Sequence, residues 1–267
     1  MITLSSDFGW PYPASMKGVI LQRIDARLVD VTHEFPRQDV RAAGFWLREV
    51  LPYFPPAVHL VVVDPGVGTD RSALAIRAGD HALVGPDNGV LLPAARALAD
   101  GPPKLFEVTY EDPDPGDRVG DSQWPPVPES ATFHGRDVFA PAAARVHAAG
   151  VGCFEEQSGF APAGEHEDLR LPDPTVEEDS AVGEVLTVDG FGNVITNVPG
   201  DVLADRFGSQ VSVDGAWVPV RRAYAAVGTG HRLVTVGSHG NVELSVNRGR
   251  GDDSFGVDAG SRVRLSW

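Results

Sequence analysis

The chain has 267 residues, 42% of them hydrophobic, and carries a formal net charge of −15 at pH 7. This length can bury a substantial core, in one large domain or in two unequal ones. The acidic balance argues against nucleic acid and anionic membranes as partners, because like charges repel. No apolar run approaches the roughly 20 residues that cross a bilayer, and residues 1–7 lack the features of a signal peptide. We therefore expect a cytoplasmic protein with no membrane partner.

Cysteine and lysine are both scarce. Cys153 is the one cysteine, which excludes an intramolecular disulfide and a thiolate metal cluster. Lys17 and Lys104 are the two lysines, so arginine carries nearly all of the positive charge. A solvated acidic surface explains this balance, and so does adaptation to a salt-rich cytoplasm, where screening shortens like-charge repulsion. Coding bias toward arginine is a third explanation, and a halophilic source is our working hypothesis.

Strands and helices alternate in the N-terminal half of the chain. Short apolar runs predict buried strands at residues 28–31, 58–63 and 82–84. Apolar spacing predicts a helix over residues 40–50, with Asp39 as its N-cap, and a second over residues 140–149, with Pro141 in its first turn. This alternation is typical of an α/β domain with a largely parallel sheet. Asp64 follows the strand at 58–63, at the carboxyl end where ligands bind in such sheets.

Composition and periodicity then divide the chain. Residues 111–130 are rich in Pro, Asp and Gly and predict an exposed loop. A second acidic, proline-containing stretch, residues 164–179, predicts a linker. We therefore expect an N-terminal α/β domain at 1–165, a linker at 166–180 and a C-terminal β-domain at 181–267. Its predicted strands are residues 184–188, 210–213, 217–220, 232–236, 241–246 and 262–267. Tight glycine turns between them indicate a small antiparallel barrel or sandwich.

Two glycine-rich segments carry the residues best suited to chemistry. The first runs Asp-Pro-Gly-Val-Gly-Thr-Asp-Arg from Asp64 to Arg71, and the second, Thr-Phe-His-Gly-Arg-Asp at 132–137, places His134 in a glycine-containing turn. A carboxylate, a guanidinium and an imidazole together can polarise a water molecule, which favours an enzyme. A turn cap, a surface ion pair and a turn histidine are the non-catalytic interpretations. No metal site is expected, because no His-x-x-x-His or paired-carboxylate spacing occurs.

Four further turns each place an amide or a carboxylate next to glycine. They lie at residues 6–9, 85–89, 189–193 and 238–241. Each alone is typical of ordinary hairpin chemistry. Together they indicate a nucleoside site, because such groups can bond ribose hydroxyls and adenine edges while glycine allows the backbone to approach closely.

Seven motifs in order carry a resemblance to a known family. They are Ser-Asp-Phe-Gly (6–9), Met-Lys-Gly-Val (16–19), Val-Thr-His-Glu (31–34), Val-Asp-Pro-Gly-Val-Gly (63–68), Pro-Asp-Asn-Gly (86–89), Thr-Phe-His-Gly-Arg-Asp (132–137) and Phe-Gly-Asn-Val-Ile-Thr-Asn (191–197). The chain resembles the S-adenosylmethionine (SAM) hydroxide adenosyltransferases, adenosine-forming hydrolases related to the fluorinase and chlorinase. The resemblance implies an N-terminal α/β domain, a C-terminal β-barrel, and a homotrimer with its sites at subunit interfaces. It implies no cofactor, since SAM is the substrate.

The same resemblance assigns roles to individual residues. Asp64, Arg71 and His134 match the family's water-activating triad. The expected substrate-binding residues are Asp7 at the ribose hydroxyls, Asn193 beside Phe191 at the methionine part, Ser238 in the same methionine pocket and Asn247 at the adenine edge. Two positions depart from the halogenases: His239 stands where they have arginine, and Gln38 where they have a tryptophan that packs on the substrate.

The implied reaction is attack by water or hydroxide on C5′ of the ribose, with methionine leaving. His134 is expected to accept the proton of water, with Asp64 either fixing the histidine tautomer or holding the water. The halogenases have tyrosine in place of Asp64 and of His134, and the fluorinase has a loop inserted after Arg71, so hydroxide is favoured over halide. The resemblance also implies a preference for the (R)-sulfonium epimer of SAM. The alternatives are halide-dependent adenosyl transfer and a non-catalytic SAM- or adenosine-binding module.

Overall fold

The structure, a computed structural model, describes residues 1–109 and 130–267. These residues form two compact units, Met1–Arg170 and Leu171–Trp267. The loop predicted at 111–130 lies outside the described residues except for Ser130. Within the described ranges, no helix is long and apolar enough to span a membrane.

The first unit is built on a seven-stranded sheet. Its strands are β1 (Ile2–Ser6), β2 (Leu28–Thr32), β3 (Val58–Val62), β4 (Ala73–Ala78), β5 (His81–Pro86), β6 (Lys104–Val108) and β7 (Phe160–Pro162). They lie in the order β2-β1-β3-β5-β4-β6-β7. Strands β2, β1, β3 and β5 pair in parallel, whereas β4 and β7 run antiparallel to their neighbours. Five of the seven strands therefore share one direction. The prediction of an α/β domain with a largely parallel sheet is confirmed.

Helices cover both faces of this sheet. They are α1 (Tyr12–Leu21), α2 (Val40–Val50), α3 (Leu92–Leu98) and α4 (Ala140–Ala149), with short 3₁₀ turns at Leu51–Tyr53 and Phe154–Glu156. Successive residues of a strand point to opposite faces, and the apolar side chains of β3 accordingly pack into two cores. One core includes α1 and α4, and the other includes α2 and α3. Both predicted helices are confirmed, and Asp39 caps α2 by accepting from the Ala42 N–H at 2.8 Å.

The second unit is an antiparallel barrel. Its strands are β8 (Thr175–Val176), β9 (Ser180–Val188), β10 (Val194–Pro199), β11 (Gln210–Val213), β12 (Ala216–Pro219), β13 (Arg232–Val236), β14 (Asn241–Val246) and β15 (Arg262–Ser266), joined by 3₁₀ turns at Gly200–Leu203 and Tyr224–Ala226 and by helix α5 (Gly251–Phe255). The order is β12-β11-β15-β9-β10-β14-β13, with β8 added to β9. A bridge between Val220 and Val234 joins the two ends of this order around a valine-rich core. The predicted barrel is confirmed.

The stretch predicted as a linker forms contacts inside each unit. On its N-terminal side, the carbonyl of Leu169 accepts from Arg96 at 3.0 Å. On its C-terminal side, the carbonyl of Pro172 accepts from Asn197 at 2.8 Å, and β8 lies within the stretch. Residues 166–180 thus contribute to packing on both sides of the boundary between the units, and their role as a linker stays a prediction.

Candidate active site

The carboxyl edge of the parallel strands brings two carboxylates together. Ser6 of β1 pairs with Val62 of β3, so Asp7 and Asp64, which follow these strands, leave the sheet at the same edge. Strand β4 runs antiparallel to β5, so its first residues lie at this same edge. Arg71, two residues before β4, is therefore at this edge as well. The sheet topology therefore gathers residues that are far apart along the chain.

A cleft of about 510 Å³ opens at this edge and is lined by both carboxylates. Phe8, Tyr12 and Phe133 form an aromatic wall, with ring centroids 5.6–6.3 Å apart in edge-to-face arrangements. Cavities of roughly 300–1,000 Å³ with mostly apolar walls and a few polar groups are typical of small-molecule sites. The cleft therefore suits a ligand with an aromatic part and hydroxyl groups.

Asp64 and Arg71 form a buried ion pair. The side chains are 4% and 11% exposed, and Arg71 donates through Nε to Oδ1 of Asp64 at 2.7 Å and through Nη2 to Oδ2. Arg71 also donates through Nη1 to the carbonyl of Ser72 at 3.1 Å, and its guanidinium lies 5.0 Å from the centroid of the Phe139 ring. A two-pronged bond of this kind fixes a guanidinium in position as well as in charge. Arg71 is therefore held rigidly at the cleft edge.

Glycine is required in the turn that returns Arg71 to Asp64. Gly68 has φ of +83°, and a Cβ at this position would lie 2.7 Å from the carbonyl oxygen of Ala131. The turn is closed by Thr69, whose N–H and hydroxyl both donate to the carbonyl of Gly66. The sequence pattern Pro-Gly-Val-Gly thus serves a close approach between two segments of the cleft wall.

His134 joins the pair through Arg71. Nη2 of Arg71 donates to Nδ1 of His134 at 3.2 Å, so this ring nitrogen is an acceptor and the proton of the neutral ring lies on Nε2. Burial, followed by the charge of Arg71, lowers the pKa of His134 below its ordinary value of 6.5, against the opposing charges of Asp64 and Asp137. The imidazole is therefore neutral at neutral pH.

The segment around His134 differs from the predicted glycine turn. His134 precedes a π-helical turn, Gly135–Phe139, that leads directly into α4. Gly135 lies in the helical turn, and a Cβ there would lie 3.0 Å from the sulfur of Met16. A π-helical turn widens the helix and is frequent at functional sites. Here it directs His134 toward Arg71.

The structure thus brings together the three predicted triad residues, in the order Asp64, Arg71, His134. Arg71 occupies the central position and is bonded to both partners. Arg71, and not Asp64, contacts Nδ1 of His134, and both oxygens of Asp64 accept from Arg71. Each of these oxygens keeps a second lone pair, so the expectation that Asp64 holds the water stays a prediction. Asp64 is the member of the three that lines the cleft.

Asp7 lines the same cleft as Asp64. Its Oδ2 accepts from the backbone N–H of Gln38 at 2.7 Å, and both residues line the cleft. Gln38 has a backbone φ of +61°, a conformation that residues other than glycine rarely adopt. Sequence reasoning did not identify Tyr12 or Arg37 as cleft residues, because neither lies in one of the glycine-containing turns, and it passed over Arg136, which lies in the 132–137 motif beside His134.

The other predicted binding residues lie in the second unit. Phe191 is 81% exposed, and it lies with Asn193 in the β9–β10 turn that Asp189 organises by accepting from the backbone N–H groups of both residues. Asn247, just beyond β14, donates through its side chain to the carbonyl of Val227 at 2.7 Å.

Ser238 occupies the β13–β14 turn. The pairing of Val194 with Leu244 and of Pro199 with Asn241 places Asn193 toward the end of β14 and Ser238 at its beginning. Within this unit, Asn193 and Asn247 therefore lie at one end of a six-residue strand and Ser238 at the other. Asp189 belongs to the turn predicted at 189–193 but was given no role of its own, although a carboxylate before such a turn is a recognisable side-chain-to-backbone turn signal.

The fold and the site are those of an enzyme with an α/β unit, a β-barrel unit and a nucleoside-sized cleft. Comparisons with known proteins identify the family. Residues 2–155 match the model of the SAM hydroxide adenosyltransferase N-terminal domain, and residues 183–264 match that of the C-terminal domain. The chain therefore belongs to the SAM hydroxide adenosyltransferase family.

Relatives of known name agree with this assignment, and two solved structures share the fold. The chain is 42% identical to an (R)-S-adenosyl-L-methionine hydrolase of Salinispora tropica, over 99% of this chain and 97% of the relative. It is 43% identical to the protein of that name from Thermus thermophilus, over 97% of each chain. An uncharacterized conserved protein of Thermotoga maritima has a similar structure, with a TM-score of 0.81 at 32% identity over 100% of both chains. A conserved hypothetical protein of Thermus thermophilus has a TM-score of 0.73 at 38% identity, covering 99% of this chain and 98% of the other.

Proposed function

We propose that this protein hydrolyses SAM to adenosine and L-methionine, with an oxygen nucleophile attacking C5′ of the ribose. The observation that carries the proposal is the buried Asp64–Arg71–His134 array at the edge of a nucleoside-sized cleft. Family membership and full-length similarity to proteins named (R)-S-adenosyl-L-methionine hydrolase support it. No cofactor takes part in this reaction, because SAM itself carries the leaving group.

The reaction joins two opposite charges. As the C5′–O bond forms, the C5′–S bond breaks and its electron pair stays on sulfur, so hydroxide and the sulfonium ion become neutral adenosine and methionine. A site that excludes bulk water favours such a step, because both charges lose their solvation in the transition state. The difficult requirement is the nucleophile, since free water has a pKa of about 15.7.

The array is suited to stabilising hydroxide. A guanidinium supplies a positive charge and several N–H donors, and the bonds of Arg71 to Asp64 and His134 leave it little freedom to turn away. Since Nδ1 of His134 faces Arg71, we assign the Nε2–H the role of donating a hydrogen bond to the attacking oxygen. This role replaces the expectation that His134 accepts the proton of water. We propose that the water molecule loses this proton to solvent before the attack.

The substrate-binding roles follow the family resemblance. Asp7 holds the ribose hydroxyls, Phe191 and Asn193 contact the methionine part, Ser238 belongs to the methionine pocket and Asn247 to the adenine edge. The position of Asp7 in the cleft with Asp64 supports its assignment. The names of the relatives support a preference for the (R)-sulfonium epimer, which separate assays of the two epimers will test.

We further propose a homotrimer whose sites lie at subunit interfaces, on the strength of the family resemblance. The cytoplasmic location and the halophilic source stay predictions. Halide-dependent transfer is not favoured, because Asp64 and His134 occupy the positions at which the halogenases have tyrosine.

Mass spectrometry of the products formed in ¹⁸O-labelled water, at high and at low chloride, tests the reaction. We expect heavy oxygen in adenosine and unlabelled methionine at either chloride concentration. A 5′-chloro product would move the protein to the halogenase branch. Tight binding of SAM without turnover of either epimer would instead support the binding-module alternative.

A further inference from the structure

The Val-Thr-His-Glu motif at 31–34 contributes no residue to the cleft lining, yet its histidine contacts the residue that precedes Asp7. Nδ1 of His33 is 2.8 Å from the hydroxyl of Ser6, the residue that precedes Asp7 in the chain. Nε2 of His33 donates to Oδ1 of Asp30 at 3.0 Å, and in the tautomer that carries the proton on Nε2 the Nδ1 atom accepts from Ser6. Ser6 is fully buried, so its hydroxyl serves the fold and is not exposed to a ligand.

Asp30 is itself held as an anion. Lys17 of α1 donates to its Oδ2 at 2.6 Å. Burial acts to raise the pKa of Asp30, but the hydrogen bonds from Lys17 and His33 outweigh it and lower that pKa. A chain of bonds therefore runs from Lys17 through Asp30 and His33 to the end of β1.

The segment that begins at His33 also grips the Asp7 turn through its backbone. We call residues 33–38 the clamp. The carbonyl of His33 accepts from the Gly9 N–H at 2.8 Å, and the N–H of Gln38 donates to Oδ2 of Asp7 at 2.7 Å. The clamp thus bonds to residues on both sides of Asp7 and to the Asp7 carboxylate itself.

Two backbone features indicate that this arrangement is under constraint. β2 has one extra residue opposite β1, since Leu4 pairs with Asp30 and Ser5 with Thr32. Such bulges re-aim the residues that follow them. At the other end of the clamp, Gln38 adopts the left-handed region, and strained conformations of this kind persist where surrounding contacts over-determine them.

We propose that His33 is a positioning residue for the Asp7 carboxylate, and through it for the ribose of the substrate. This inference rests on the proposed function in one respect, that Asp7 bonds the ribose hydroxyls. His33 does not touch the substrate. It ties the Ser6 hydroxyl and the Asp30 anion together, so that the clamp delivers the Gln38 N–H to one Asp7 oxygen and leaves the other to the ligand.

Binding of adenosine and of 2′,3′-dideoxyadenosine, measured by calorimetry, tests this role. The parent protein is expected to prefer adenosine by roughly tenfold or more, since hydrogen bonds to charged groups are the strong ones. In His33→Phe and in Ser6→Ala, that preference is expected to fall to about threefold or less, while the affinity for dideoxyadenosine stays unchanged. His33→Asn keeps a polar atom near the Nδ1 position and should restore part of the preference.

Controls separate positioning from general damage to the fold. His166→Phe alters an exposed histidine and should keep the parent preference. In an Asp7→Asn background, His33→Phe should cause no further loss of preference. Equal weakening of both nucleosides in His33→Phe and in Ser6→Ala would overturn the proposal, because it would show loss of structure without loss of ribose recognition.

The same samples distinguish failure of this inference from failure of the proposed function. A parent protein that prefers adenosine but does not hydrolyse SAM would refute the hydrolase function and leave the clamp standing. An active parent whose His33→Phe and Ser6→Ala variants retain the full preference for adenosine would refute the clamp alone. A parent without any preference would overturn both the role of Asp7 and that of His33.

Discussion

At the scale of single residues, the position of Arg71 between Asp64 and His134 is the feature with the most consequences. One guanidinium satisfies both carboxylate oxygens and one ring nitrogen. Lysine presents a single ammonium point and cannot reproduce that fork. Arginine at position 71 therefore supplies both the positive charge of the site and the geometry of its hydrogen bonds.

Arg71→Lys keeps the charge and removes the fork. We expect kcat for SAM hydrolysis to fall by about 100-fold or more, the order of loss seen when one preorganised donor is removed from an active site. Adenosine affinity should change little, because Arg71 is not among the residues that line the cleft. Arg77→Lys is a matched control, since Arg77 pairs with Glu155 elsewhere in the same unit. A kcat within about threefold of the parent would contradict the assigned role.

The choice between donor and base for His134 can be tested by substitution. The amide nitrogen of glutamine can take the place of Nε2–H as a donor but cannot accept a proton. Because the lowered pKa keeps His134 neutral at pH 7, a donor role predicts that His134→Gln retains at least about tenfold more activity than His134→Ala. Steady-state kinetics at pH 7 measure the difference. Equal losses of activity in the two variants would favour a role for His134 as the general base.

At the scale of elements, a pair of histidines within the sheet makes stability dependent on pH. His59 in β3 is fully buried, its Nδ1 lies 2.7 Å from the Thr3 hydroxyl of β1, and its Nε2 lies 2.9 Å from Nδ1 of His81. Burial, and then the neighbouring His81, lower the pKa of His59 from 6.5 to about 3. The folded protein therefore keeps His59 neutral where an unfolded chain would protonate it.

The sign of the effect follows from this difference. Above pH 6.5 neither state is protonated and His59 has no pH-dependent effect, whereas from pH 6.5 down to about 3 the unfolded state alone binds the proton. The free energy of unfolding should fall across that range, by as much as about 5 kcal/mol from this residue. Urea titrations between pH 7 and pH 4 should show a shallower decline in His59→Gln than in the parent or in His166→Gln. Equal slopes would contradict the assignment.

At the scale of the whole molecule, the proposed trimer makes a prediction about mixed subunits. If one site takes Asp64 from one chain and Asn193 from another, Asp64→Asn and Asn193→Ala are each inactive alone. Mixed assemblies of the two should recover activity, because some sites then combine two native halves. A mixture of Asp64→Asn with Arg71→Lys should recover none, since both changes fall in the same unit.

Light scattering and mass analysis of the mixture complete this test. A trimeric mass with recovered activity is the expected result. A monomeric parent that is fully active would overturn the interface site, and mixed trimers without recovery would confine the site to one chain.

Much of the fold could be predicted from the sequence. The helix Val40–Val50 was predictable because its apolar spacing and its Asp39 cap are both local signals. The strands of the barrel alternate in polarity between glycine turns, which is also local. Helix α1 escaped prediction because its apolar residues do not form a clear stripe, and α3 because its seven residues are too few for a helical period to stand out.

The sequence by itself determined which residue types carry the chemistry, and the tertiary structure decided how they are joined. Glycine-rich turns and motif order were enough to select Asp64, Arg71, His134 and Asp7. The contact between Arg71 and His134 spans 63 positions of the chain and depends on an antiparallel strand and a π-helical turn. The role of His33 depends on a bulge between two strands. Such relations arise from packing in three dimensions, and no local periodicity records them.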